Sequence, residues 1–253
     1  MVEVEHLRVG CVKYLNAQPL IHGWPDEVVF DHPSALCRQL AAGALDVALV
    51  SSFEFLRHPI YQVVDDVSIS SDGAVHSVFL AHTGELAEIG EIEIDPASGT
   101  SVNLLRCLLA ERDLAPEFID QSDSAVSTTR AKLLIGDQAI RFRQQYADDY
   151  RFWDLGLQWQ QATQLPFVYA LWLIRPEVAA SEEIAERLRA CRDENLRALD
   201  RVIAAQTDFP PEFCRFYWHD CLRYHFGARE KKGLSTFREL CEKHAILPAP
   251  EGL

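Results

Sequence analysis

Short apolar segments of strand length alternate with helix-patterned runs along most of this chain, and that alternation restricts it to layered α/β architectures. Residues 7–12 read as a strand that runs into the turn-forming set Tyr14-Leu15-Asn16-Ala17-Gln18-Pro19, so a polar side chain, Asn16, falls at a strand end. Residues 34–42 carry apolar positions at helical spacing behind Ser34 as the expected cap, and Gly43 stops that helix before the buried strand Asp46-Val47-Ala48-Leu49-Val50. Strand, helix and strand form a βαβ unit. Repetition of such units predicts mostly parallel sheets whose ligands lie outside the carboxyl ends of the strands.

Several further strand ends carry small polar residues. Ser51-Ser52-Phe53-Glu54 places two hydroxyls where a helix begins, with backbone amides free for an anion. Either serine reads equally well as a helix cap, and Glu54 completes a Ser-x-x-Glu capping pattern with Ser51. Residues 77–82 and 91–95 read as strands. Pro96-Ala97-Ser98-Gly99-Thr100-Ser101 then leads into a helical run over 102–111, and Gly99 permits close backbone approach to an anion. Ser77 opens one strand, while strand alternation turns the neighbouring His76 to the other face. Residues 132–136 form an apolar strand ending at Asp137, which reads equally as a ligand contact or a cap. A polar stretch follows, then Asp154-Leu155-Gly156 and a strand over 167–174, and the remainder, 182–247, is predominantly helical. Boundaries between two lobes are expected near 78–82 and 172–176, giving 1–80 plus 175–253 as one lobe and 81–174 as the other.

Composition narrows the functional classes. No run approaches the roughly 20 apolar residues that span a bilayer, and residues 1–10, with Glu3, Glu5, His6 and Arg8, do not read as an export signal. The seven cysteines are odd in number and sit among apolar neighbours, as small buried hydrophobes do in a reducing cytoplasm. A formal net charge of −14 without a sustained basic block argues against nucleic acid and anionic lipid as partners. It also requires any dianionic ligand to be met by a local positive site. Cys214, His219, Cys221 and His225 form no repeating ligand pair, so no metal is expected. Gly-rich phosphate loops are absent, and no cofactor is expected. A monomer or a homodimer fits equally.

Several blocks in order resemble the MqnA/MqnD family of menaquinone biosynthesis. They are Val9-Gly10-Cys11-Val12-Lys13-Tyr14-Leu15-Asn16-Ala17-Gln18-Pro19-Leu20, then 46–56, then 95–109, and Leu133-Leu134-Ile135-Gly136-Asp137. Asp154-Leu155-Gly156 with Trp159, Thr163, Leu165-Pro166-Phe167-Val168 and Trp172 comes next, and Phe226-Gly227 with Arg229-Glu230-Lys231-Lys232-Gly233-Leu234 closes the series. Three positions depart from the family's usual residue: Phe55 for Tyr, Gln164 for Gly and Asn103 for Ala. The resemblance implies an α/β fold of the type II periplasmic-binding-protein kind, two lobes joined by a hinge and closing on a ligand in a cleft between them.

It also implies chemistry. The MqnA branch converts chorismate to 3-[(1-carboxyvinyl)oxy]benzoate by loss of water, and the Tyr-Leu-Asn-Ala-x-Pro-Leu start and the Thr-Ser-Val-x-Leu-Leu-Arg block align the chain with that branch. The alternatives are an MqnD-like 1,4-dihydroxy-6-naphthoate synthase, or a solute-binding or sensing protein without catalysis. For the dehydration, Asn16 and Ser77 are the expected catalytic residues. Ser51, Ser52, Gly99, Thr100, Ser101, Val102 and Asp137 are the expected contacts for a substrate with two carboxylates. Amides and hydroxyls are poor bases near neutral pH, so the enolpyruvyl carboxylate of the substrate is expected to take the proton.

Overall fold

A computed structural model describes residues 7–94, 99–120 and 127–248. The strands are β1 (Val9–Val12), β2 (Val28–Asp31), β3 (Val47–Ser51), β4 (Gln62–Ser71), β5 (Val78–His82), β6 (Glu91–Ile94), β7 (Glu117–Asp120), β8 (Arg130–Ile135), β9 (Arg151–Asp154) and β10 (Phe167–Ile174). The α-helices are α1 (Gln18–Ile21), α2 (Pro33–Ala41), α3 (Ser52–Arg57), α4 (Gly99–Ala110), α5 (Gly136–Gln145), α6 (Leu155–Thr163), α7 (Ser181–Arg197), α8 (Leu199–Ala205), α9 (Pro211–Phe216) and α10 (Ala228–Lys243). The chain divides into two compact units, Met1–Ser70 with Val168–Ala228, and Ser71–Phe167 with Arg229–Leu253.

In the first unit the sheet order is β2-β1-β3-β10-β4. β1 pairs in parallel with both β2 and β3, whereas β10 runs antiparallel to β3. β1 and β3 are buried along nearly their whole length, the near-continuous apolar run expected of a covered strand. Gly10 lets a helix lie against β1: a Cβ there would sit 2.5 Å from Leu45 Cδ1 and 3.0 Å from Leu36 Cδ2. Leu36 and Leu40 of α2 are completely buried. Gly43 ends that helix with φ +75°, which a side chain tolerates poorly.

The second unit holds the sheet β7-β6-β8-β5-β9. β6 is parallel to β7 and β8, and β5 is antiparallel to β8 and β9. Phe79, Ala81, Leu134 and Ala139 form a core cluster, with Phe142, Tyr150 and Phe152 packed against it. α10 closes on α6 through aromatic edges: Phe237 lies 5.0 Å from Phe167 and 6.1 Å from Trp159, ring centre to ring centre. Gly233 is required there, because a Cβ would come within 2.1 Å of the Pro166 carbonyl oxygen.

Both sheets are mixed, most strands running one way as expected while β10 in one and β5 in the other run against their neighbours. The structure corrects three expectations. The units exchange chain at 70/71, 167/168 and 228/229. Those points differ from 78–82 and 172–176, because Phe167 packs with Trp159 and Phe237, and α10 follows them into the second unit. The polar stretch after Asp137 contains α5 and β9; α5 buries only Gly136, Ala139 and Ile140, too thin an apolar stripe to declare itself. Residues 15–21 make a 3-10 turn and α1, with Pro19 at the first turn of that helix, rather than an open turn. A smaller difference is that His32, with Pro33 behind it, precedes α2 in place of Ser34. Asp95, Pro96, Ala97 and Ser98, expected at the end of a strand and in the following loop, lie outside the described residues.

Candidate functional site

Each sheet gathers its polar strand ends along one edge. In the first unit, parallel β1 and β3 end side by side, and antiparallel β10 begins next to them with Ala170 opposite Ser51. That edge carries Asn16, Ser51 and Ser52. In the second unit, β6 and β8 end where antiparallel β5 begins, with Val78 opposite Ile135, and β9 ends opposite Phe79 at Asp154. That edge carries Ser77, Gly99, Thr100, Ser101, Val102, Asp137 and Asp154.

Asn16 is held by its backbone. Tyr224 Oη donates to its carbonyl at 2.9 Å, and Trp218 Nε1 donates to the Leu15 carbonyl at 2.8 Å. Its side-chain Oδ1 is buried and has no hydrogen-bond partner. A buried amide oxygen in that state costs about 1–3 kcal/mol, and a donor brought by a ligand recovers it. An Asx turn at this position would use the side chain locally, and no such bond is present at Oδ1.

The two serines after β3 differ. Ser52 is fully buried and its hydroxyl donates to the Val168 carbonyl at 2.7 Å, so that hydroxyl joins α3 to the start of β10 and its proton is committed within the unit. Ser51 is half-buried and stands at the N-cap of α3 without a side-chain capping bond. The capping box with Glu54 is therefore absent: Glu54 is buried and instead pairs with Arg57 at 2.6 Å, one turn on. Burial pushes the nearby Cys37 thiol up to about 12, and the Glu54 carboxylate adds to this. Burial likewise raises Cys11 on β1. Neither cysteine is poised as a thiolate nucleophile.

In the second unit, Thr100 and Ser101 are buried in the first turn of α4, a twelve-residue helix whose amino terminus carries the positive end of its dipole. Val102 behind them is buried as well. Asn103 donates from Nδ2 to the Gly99 carbonyl at 2.9 Å, so this departure from the family pattern stays inside the helix end. Gln164 adopts φ +60° at the end of α6, the left-handed position where the family's Gly is the unstrained choice. Asp137, half-exposed, lies in the first turn of α5, where a carboxylate is favoured by the helix dipole.

Ser77 is buried, and its carbonyl accepts from the Gly136 amide at 2.8 Å. His76 precedes the strand rather than alternating within it, and has φ +63°. Burial, with the Arg143 guanidinium next in effect, holds the His76 imidazole below its ordinary value against the opposing pull of Asp154. Asp154, to which the sequence assigned no role of its own, is 4 % exposed and accepts from the amides of Val75, His76 and Leu157 at 3.0, 2.8 and 3.1 Å. Arg143, which the sequence did not single out, stands 3.7 Å from Asp154 and lies over the rings of Phe79 and Phe152. Among the described residues there is no group of three or more His, Cys, Asp or Glu side chains arranged to hold a metal ion, and no helix is long and apolar enough to cross a membrane.

Paired mixed sheets with polar residues at the strand ends define the class of fold. The alkanesulfonate-binding protein SsuA from Xanthomonas axonopodis pv. citri, solved bound to MOPS, is similar with a TM-score of 0.66 at 15% identity, over 96% of this chain and 94% of that one. The architecture is thus that of the periplasmic binding proteins, in two units. The model of the menaquinone biosynthesis family matches residues 7–243, and the chain belongs to that family. Curated relatives include the chorismate dehydratase of Thermus thermophilus, 31% identical over 91% of this chain and 93% of that protein, and the chorismate dehydratase of Campylobacter jejuni, 23% identical over 90% and 91%.

Proposed function

We propose that this protein is a chorismate dehydratase, a carbon–oxygen lyase that converts chorismate to 3-[(1-carboxyvinyl)oxy]benzoate and water. The observation that carries the reading is the 31% identity to a chorismate dehydratase across 91% of the chain. The strand-end residues supply what that reaction asks for. Chorismate presents two carboxylates, and the amino-terminal turn of α4, with Gly99, Thr100, Ser101 and Val102, suits one of them. Ser51 and the amides opening α3 suit the other, with Ser52 contributing its backbone and Asp137 accepting from a substrate hydroxyl.

The reaction breaks the C3–H and C4–O bonds, and the electron pair of the C3–H bond becomes the new ring double bond. The ring becomes aromatic, so the driving force lies in the substrate and the protein supplies orientation and proton management. Asn16 orients the ring, its unpartnered Oδ1 accepting from the C4 hydroxyl. The substrate's enolpyruvyl carboxylate takes the C3 proton and passes it to the departing hydroxide, completing one molecule of water. Ser77 hydrogen-bonds beside the reacting carbons.

Incubating purified protein with chorismate tests this. The expected result is a new aromatic absorbance from a product one water lighter than the substrate. Binding of chorismate without product would contradict catalysis and favour a solute-binding protein, and turnover of a cyclic futalosine-derived nucleoside instead would assign the other branch of the family.

A further inference from the structure

Four structural facts converge on the segment that leads into Ser77. Asp154 is buried, and its two oxygens divide their partners. Oδ1 takes the amides of Val75 and Leu157, so it caps α6 while gripping the incoming chain. Oδ2 takes the amide of His76, whose backbone stands at φ +63°, and lies 3.7 Å from the Arg143 guanidinium. The far side of Ser77 is fixed too, its carbonyl accepting from Gly136. A left-handed conformation at a non-glycine residue persists only where surrounding bonds over-determine it, and such residues cluster at working sites.

We propose that Asp154 is a positioning residue for Ser77: through Oδ2 it holds His76 left-handed, and that turn sets the place from which Ser77 meets the substrate. The inference rests on the reading of Ser77 as a substrate-contacting residue in chorismate dehydration. Its particular content is the division of labour between the two carboxylate oxygens, since capping α6 needs only Oδ1.

The division makes the role separable from folding. Asp154→Asn keeps one oxygen for the Val75 and Leu157 amides, but turns an N–H group toward the His76 N–H and so releases the latch. The expected result is a thermal midpoint a few degrees lower, since the His76 amide loses its acceptor, and a KM close to wild type, with kcat on chorismate lower on the order of a hundredfold, the scale of a small misplacement at a reacting centre. Glycine adopts positive φ without strain, so adding His76→Gly to Asp154→Asn restores about tenfold in kcat, the coupling normal within one hydrogen-bond network.

Should Asp154→Asn fail to fold, two variants with Asp154 intact decide the matter. His76→Gly outpaces His76→Val about tenfold in kcat at equal KM, because a β-branched residue resists the left-handed region. Wild-type kcat in Asp154→Asn, a folded double variant no faster than Asp154→Asn, or equal rates for the glycine and valine variants would each overturn the positioning role. Wild-type protein that yields no product from chorismate would overturn the functional reading first, and is distinguished by being scored before any variant.

Discussion

Ser51 and Ser52 are neighbours in sequence with opposite employment. The Ser52 hydroxyl is committed to the Val168 carbonyl, 116 residues away along the chain, whereas Ser51 stands half-buried at a helix start with no capping bond from its side chain. Ser52→Ala therefore lowers unfolding stability by about 1–2 kcal/mol, the range for a buried hydrogen bond whose acceptor is left unpaired; denaturant titration checks this. Ser51→Ala, which removes no helix-capping bond, is expected to act chiefly by raising the KM for chorismate. The sequence made both hydroxyls visible at a strand end but could not rank them, because the deciding partner is remote. The same holds for Asp154, whose amide partners at Val75 and His76 lie 79 and 78 residues away. Asn16 was legible from its motif; that its Oδ1 is buried without a partner was not.

Among the elements, strands β3, β8 and β10 were readable to within a residue or two because their apolar runs are bounded by polar residues. α5 was not, because its exposed faces outweigh three buried positions. The place of α10 depends on Gly233, where an added Cβ would meet a backbone oxygen that cannot swing aside. Gly233→Ala is expected to destabilise by about 1–3 kcal/mol, the scale of overpacking, seen as a lower denaturant midpoint. In the first unit, α7 is tied to the middle of β4 by Arg192, 2 % exposed, which bonds the Asp66 carboxylate at 3.0 Å. Burial alone would raise the Asp66 carboxyl, but hydrogen bonds from Arg192 and His225 prevail and hold it below its ordinary value. A carboxyl lowered by folding stabilises the folded state above its unfolded pKa and loses that contribution as pH falls through the folded one. Stability should therefore decline below about pH 4, and Asp66→Asn should make that acid limb shallower while lowering stability at neutral pH.

For the whole molecule, alternation of strands and helices announced an α/β chain, and the ordered family-like blocks announced its relatives. Strand direction was beyond either signal, since antiparallel β5 and β10 carry the same apolar code as their parallel neighbours. The discontinuous units were placed imperfectly because the deciding contact, Phe167 with Phe237, joins residues far apart in sequence. The strand-end edges survived these errors, since βαβ units fix which end of a parallel strand meets its helix, and Asn16 sits on the first of them. The most direct test of its assigned role is kcat/KM on chorismate for the wild type and Asn16→Ala, measured side by side with their unfolding midpoints. The expected result is a loss of about 10²- to 10³-fold, as when one preorganised polar contact to a reacting group is removed, with the midpoint retained. A folded Asn16→Ala protein that turns over chorismate at the wild-type rate would contradict that role.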